Sequence, residues 1–553
     1  MSLWRSSALV GFWTFLSRLL GFIRDLLLAM SFGSGPVADA FVAAFQIPNL
    51  CRRLFAEGAF NAAFVPVFTQ QLQNFGKNSA KLFAENILVY LLGILLVVNI
   101  FAIMFMPEIV MVLAPGYSTQ TISWVSDAFS LDLPFVHAPD EEKFALTVSY
   151  ARILFPYLIF ASVMALYAGI LNSFDKFSLA AAAPCLLNVI AIAALALGLG
   201  VGEERLSQII ASCFALLSLS FEPLPPRQLS AIIFIYAIVL SGVCQAGLLL
   251  WGLSRLRFSL RLVRPRWSPL VGQFFTLFGP GLLAGGVVQI NIMAGGIIAS
   301  FQEGGRAYLY YADRLYQFPL GLIGIAIGVV LLPKLTTSLQ KKPEDARDLV
   351  DHSLLLAMVF TLPATFGLWS LALAIITVLF EYGQFGAEDS RNTALALQAF
   401  VFGLPAYVGV KVFSPGFFAR LDTKTPMRLA ALSMVINILM SLVLFPFYGH
   451  VGIAASTSIA AWCQLVCMLV IMNLRGYHHW QLSTIVTIGQ ILLASAFMSI
   501  ILYVIPPLQM FGLHAVDLGI RILVGLISFI LISWLFGVHH IATKSLSSRR
   551  HEI

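Results

Sequence analysis

The chain has 553 residues and a formal net charge of +7, and 59% of it is hydrophobic against only 11% charged. Soluble domains carry about 25% charged residues, so this chain has too few to cover its own surface, and a bilayer is the solvent that tolerates such an exterior. With a mean hydropathy of +0.90, it is excluded as a secreted enzyme, a disordered scaffold or a nucleic-acid-binding module.

Taken in chain order, apolar stretches long enough to cross about 30 Å of hydrocarbon are centred near residues 20, 55, 98, 160, 188, 240, 287, 322, 365, 405, 437, 462, 493 and 528, about fourteen in all. The first contains Arg18, Arg24 and Asp25 and lacks a small-residue cleavage pattern, so it reads as a retained helix and not a signal peptide. Loops on the side of the termini hold most of the Lys and Arg, including the run from Arg255 to Arg266. The opposite loops hold Lys143, Arg205, Arg227, Arg306 and Arg391, several beside acids such as Glu142, Glu204 and Asp389. The positive-inside rule then makes both termini cytoplasmic and explains the net charge without nucleic acid. The Arg255–Arg266 run is also placed to meet anionic headgroups. The six cysteines lie in or beside apolar runs without zinc-site spacing and read as small core residues.

The chain repeats itself. Pro156 and Asn188 are separated by the same interval as Pro405 and Asn437, with the short polar turns LNSFDKF and FARLDTKTP between them. Upstream, NAAFVPVFTQQL pairs with GVVLLPKLTTSL through Pro66 and Pro333. Three anchors in one order predict two related lobes, as in transporters built from structural repeats. The expected fold is an all-α polytopic membrane protein: an N-terminal six-helix lobe over 1–258, a C-terminal six-helix lobe over 259–478, and an added helix pair with a short tail over 479–553.

Eight basic residues remain within or near the spans: Arg18, Arg24, Arg52, Arg53, Arg152, Arg314, Lys411 and Arg521. An Arg at mid-membrane costs about 2.5–3.5 kcal/mol on insertion scales unless it meets a partner or a wet cavity. Arg521 is expected to snorkel to an interface, and Arg53 has Glu57 four residues on as a helical partner. In the first span Ser17 and Arg24 share a face, with Arg18 and Asp25 on an adjacent one. The second span adds Asp39, Gln46, Asn49, Arg52, Glu57 and Asn61, and the eighth adds Asp313, Arg314 and Gln317. These three helices are expected to line one hydrophilic chamber. Either Arg18, Arg24, Arg52 and Arg314 are neutralised in pairs by Asp25, Asp39, Glu57 and Asp313, or the guanidinium forks converge to hold phosphate oxygens.

The segments SRLLGFIRD, VADAFVAAFQIPNLCRRLFAEGAFNAAFVPVF and YYADRLYQFPLGLIGIAIG resemble the MurJ (MviN) lipid II flippases of the MOP exporter superfamily, and the resemblance covers nearly the whole chain. It implies a transporter, not an enzyme, in a bacterial inner membrane. Its cargo would be lipid II, undecaprenyl-pyrophosphate-linked disaccharide-pentapeptide, carried from the cytoplasmic to the periplasmic leaflet. It further implies that Arg18, Arg24, Arg52 and Arg314 meet the pyrophosphate and headgroup, with Asp25, Asp39, Glu57 and Asp313 in the same cavity beside Ser17, Asn49 and Gln317. Some members have Glu where this chain has Gln317. The family's groove for the polyprenyl tail would fall near residues 481–541. Expected partners are lipid II, bilayer lipids and proteins of cell-wall synthesis or division, with no nucleic acid, cofactor or metal, around a monomeric transport unit.

The mechanism expected is alternating access between two lobes. No GxxxxGK[ST] segment is present for ATP, and the membrane potential is a sensible driver. Two rivals stand: a flippase for another polyprenyl-pyrophosphate-linked oligosaccharide, which charge does not distinguish, and a polytopic enzyme acting on polyprenyl phosphates. The second is disfavoured because the histidines, among them His137, His352 and His450, fall in loops or at span ends.

Overall fold

A computed structural model describes residues 3–53, 59–119, 140–202, 205, 208, 225–341, 343–477, 481–505 and 514–538. Among the described residues there is no strand. The helices in order are α1 (Leu3–Phe32), α2 (Pro36–Arg52), α3 (Ala59–Met104), α4 (Met106–Leu113), a 3-10 turn at Pro115–Tyr117, α5 (Glu141–Leu154), α6 (Tyr157–Ser173), α7 (Phe177–Val201), α8 (Pro226–Arg255) and α9 (Pro269–Ala299). They continue as α10 (Gly305–Lys341), α11 (Pro343–Phe380), α12 (Ala387–Val401), α13 (Leu404–Phe418), α14 (Lys424–Tyr448), α15 (His450–Leu474), α16 (Leu482–Val504) and α17 (His514–Leu535).

Among the described residues, 10 helical segments are long and apolar enough to cross a membrane, α5 with α6 and α12 with α13 each counting as one. The span expected near residue 55 centres on 54–58, which lie outside the described residues, between α2 and α3. Much of 118–145 and 202–230 lies outside them too. Long α3 is two helices meeting at Gly76, whose φ of 81° is open to glycine because it has no Cβ. Ser268 caps α9 by accepting the Val271 N–H at 3.3 Å, and Pro269 follows at the first helical position.

The internal repeat is visible in the backbone. Pro156 sits at the break between α5 and α6, and Pro405 at the break between α12 and α13. A positive φ follows each pair, at Asp175 (57°) and Leu421 (59°), before α7 and α14 begin. Asn188 of α7 and Asn437 of α14 are both buried polar residues in otherwise apolar helices.

The described residues fall into two compact units. One holds the chain up to Ala307 together with Gly383–Phe385, so that α9 belongs to it; the other holds Tyr308–Tyr382 and the chain from Gly386 onward. The core of the first is an aromatic stack in which Phe60, Phe64 and Phe68 of α3 follow one another at 5.4 and 5.3 Å, with Phe274 of α9 against Phe60 at 5.5 Å and Phe258 against Phe68 at 5.9 Å. In the second, Val412, Phe413, Leu465, Met468, Ile491 and Met498 join α13, α15 and α16. There α13 approaches α15 closely because Gly409 lacks a side chain: a Cβ at that position would lie 2.9 Å from Leu465. Exposed Leu96, Val97, Ile100, Val466 and Leu526 form part of the apolar exterior that lipid would cover.

Candidate functional site

In the first unit, α1 carries polar residues through an apolar helix, and α7 packs along it. Asp25 is almost fully buried at 2% exposure, and Arg24 beside it gives both Nε and Nη2 to its Oδ1, at 3.1 and 2.8 Å. The remaining fork nitrogen, Nη1, donates to Asn188 Oδ1 at 3.1 Å. The Asn188 amide in turn donates to the Ser17 carbonyl at 2.9 Å, one helical face earlier on α1. Gly21 leaves room for this approach, since its hydrogen faces the Asn188 amide. A buried carboxylate and a neighbouring amide thus hold one guanidinium in a fixed orientation, as a charge-assisted network does best in a low-dielectric setting.

Arg18 is exposed on the same helix. Arg52, at the end of α2, donates to Asn49 Oδ1 at 2.9 Å, one turn back. Glu57, expected in the same chamber, lies outside the described residues. The second unit contains Asp313, Arg314 and Gln317 on α10: the Gln317 amide donates to Asp313, and the Arg314 guanidinium lies over the Tyr310 ring at 4.6 Å. That cation–π contact offsets part of its desolvation.

Asp39 occupies different surroundings from Arg24. It has 0% exposure and accepts the backbone N–H groups of Gly304 and Ala307, each at 3.0 Å, at the beginning of α10. A carboxylate here satisfies helix-terminal donors and complements the helix dipole. Lys143 of α5 is 3.7 Å away, and Arg306 donates to the Leu113 carbonyl and, at 3.3 Å, to Gln46. The Tyr117 ring lies 4.5 Å from the Lys143 ammonium, and burial pushes its hydroxyl well above the ordinary tyrosine range. Lys143 and Arg306, read from the sequence as loop charges, are both buried here, at 5% and 3% exposure.

Arg521, expected at an interface, pairs with Asp517 one turn earlier on α17 at 3.2 Å. The residue that sequence reasoning used only as a repeat marker is Asn188. Its signal was present as a lone amide midway through an apolar helix. The partnership of Lys143 and Arg306 with Asp39 had no signal, because three distant segments supply it.

Ten long apolar helical segments among the described residues, with buried charged clusters on the helices beside them, are the architecture of a polytopic membrane protein. The family described as Lipid II flippase MurJ matches residues 28–517. A probable lipid II flippase MurJ of Rhizobium tropici is 37% identical over 97% of this chain and 95% of its own length. The lipid II flippase MurJ of Burkholderia cenocepacia is 31% identical over 86% of this chain and 85% of its own. The chain belongs to the MurJ lipid II flippase family. Among solved structures, a lipid II flippase MurJ in an inward closed conformation has the same fold, with a TM-score of 0.75, 24% identity, and 96% and 98% coverage of the two chains. An inward-facing multidrug resistance MATE transporter of the MOP superfamily superposes with a TM-score of 0.60 at 14% identity, covering 83% of this chain and 95% of that one. The protein is a multi-pass membrane transporter of the MurJ family.

Proposed function

We propose that this chain moves lipid II from the cytoplasmic to the periplasmic leaflet by alternating access, with Arg18, Arg24, Arg52 and Arg314 meeting the pyrophosphate and headgroup. Asp25, Asn49, Asp313, Gln317 and the Ser17 segment orient those cations or share their polar surroundings; Glu57 belongs to the same proposed set. Asp39 acts indirectly in this reading, by anchoring the start of α10. Both termini face the cytoplasm, the transport unit is a monomer, and cell-wall synthesis or division proteins are the expected partners.

The observation carrying this reading is the Arg24 fork, held by Asp25 and Asn188 with 14% of its side chain still accessible. Insertion of such a cation costs about 2.5–3.5 kcal/mol, and a merely structural role would be met more cheaply by apolar packing. A pyrophosphate offers oxygens in pairs that match guanidinium forks. The polyprenyl chain stays in lipid while the headgroup crosses.

The test is a strain depleted of its own flippase and complemented with Arg18→Ala, Arg24→Ala, Arg52→Ala and Arg314→Ala variants at matched membrane abundance. Lysis with precursor confined to the inner leaflet is the expected result. Normal growth and normal outer-leaflet precursor in all four would end the site assignment. Vesicles loaded with a different polyprenyl-pyrophosphate oligosaccharide check the cargo: equal flux of both lipids would remove lipid II as the specific substrate.

A further inference from the structure

The end of α8 and the segment joining it to α9 carry Arg255, Arg257, Arg261, Arg264 and Arg266 with no carboxylate between them. All five side chains are exposed. The backbone that bears them is anchored from below. Phe258 is buried against Phe68 and Phe174, at 5.9 and 5.5 Å. The N–H of Arg261 donates to Glu85 Oε1 at 2.9 Å, and that of Arg266 to Asn86 Oδ1 at 3.1 Å. Anchored at three points along its length, an extended strip presents its arginines outward. Leu262 and Trp267, 74% and 67% exposed, stand among them. Arginines interleaved with an exposed indole and an exposed leucine are what a membrane–water interface selects.

At the N-terminal end of this strip lies a cavity of about 250 Å³, with an apolar wall that includes Leu171, Leu179 and Leu256. Its polar lining includes Lys176 and Arg255, against one carboxylate, Asp175. Arg255 therefore belongs to both features, and its guanidinium lies 4.7 Å over the Trp251 ring. An apolar recess lined by two exposed cations, one of them the first of a row of arginines, fits an amphiphile with an anionic head.

We propose that this end of the first unit is a binding site for an anionic phospholipid of the surrounding bilayer. The lipid phosphate meets Arg255 and Lys176, an acyl segment enters the recess, and neighbouring anionic headgroups lie along Arg257–Arg266. The site is separate from the Arg24 cluster, and the inference holds whatever the cargo is.

The test uses the whole purified chain and native mass spectrometry to count bound phosphatidylglycerol and phosphatidylcholine of identical acyl chains. Wild type should retain phosphatidylglycerol about tenfold better. Preference should fall to near parity in Lys176→Gln/Arg255→Gln and in the variant with all five strip arginines changed to Gln. Excess inorganic phosphate should leave the bound lipid in place. Equal retention of the two lipids by wild type would overturn the proposal without need of any variant. An unchanged preference in both variants would overturn it as well, and so would displacement of the lipid by inorganic phosphate, which would mark simple anion binding. The altered side chains are exposed, so thermal midpoints should stay within a few degrees of wild type.

Discussion

Two charged clusters in the first unit use the same chemistry to opposite ends. Around Asp39 every charge is buried: the carboxylate takes two backbone N–H groups, Lys143 lies against it, and Arg306 gives Nη1 to Gln46 and Nη2 to the Leu113 carbonyl. Around Asp25 the carboxylate is equally buried, but its partner Arg24 keeps part of its side chain accessible and is oriented by Asn188. The sealed cluster resembles a structural staple, whose members are expensive to remove singly because the rest stay buried and uncompensated. The open cluster resembles a held tool. Accessibility of the cation, not burial of its carboxylate, separates an anchor from a candidate ligand group.

The largest expected effect breaks the staple. Asp39→Ala should destabilise the protein by about 3–5 kcal/mol, because Lys143 and Arg306 lose their carboxylate in a buried setting. Thermal unfolding in detergent measures this, and a midpoint equal to wild type would refute the sealed-anchor reading. On the open side, Arg24→Lys keeps the charge and loses the fork. Transport in vesicles should drop about tenfold or more with abundance unchanged, and undiminished flux would show that orientation is irrelevant there. Asn188→Leu should have a smaller effect of the same kind, about 1–2 kcal/mol in transport efficiency, and Asn188→Gln should not restore it because the longer amide overshoots Arg24.

Gly116→Ala probes the staple's surroundings, since a Cβ there would lie 2.4 Å from the Ser300 carbonyl oxygen. A loss of about 1–3 kcal/mol in stability is expected, with transport per folded molecule retained. The smallest effect lies at a third place, the turn before α14. Hydrogen bonds from Thr425, and then Arg475, lower the Asp422 carboxyl to about 2 from an ordinary 3.8. A depressed folded-state value means that its stabilising contribution is complete above the unfolded value and disappears as pH falls through about 2. Asp422→Asn should therefore lower the thermal midpoint by the same small amount at pH 5 and pH 8, and a difference between those two values would contradict this assignment.

Much of the fold could be read from one dimension because each span buries its own backbone hydrogen bonds and announces itself by length. The repeat could be read too: Pro156 and Pro405 both stand at helix breaks, and Asn188 and Asn437 both lie buried in the helices that follow. Arg24 with Asp25 was available as a pair from adjacency on α1. What could not be read was the division between Asp25 and Asp39. Both are aspartates at a polar face of an early helix, and they differ only in what arrives from elsewhere in the chain. Lys143 and Arg306 illustrate the limit most clearly, since each stands near acids in segments that look like loops.

Amino-acid order by itself determined that this chain lives in a bilayer, as repeated helices, with cations placed where hydrocarbon penalises them. Those properties depend on local hydrophobicity and on charge, both of which are additive along the chain. Tertiary structure alone decided which cation each carboxylate faces, that Asn188 joins Asp25 in steadying Arg24, and that Asp39 is closed off at the start of α10. Such pairings depend on side chains brought together from positions far apart in sequence, and electrostatic energy at a few ångströms is set by that geometry and by excluded water.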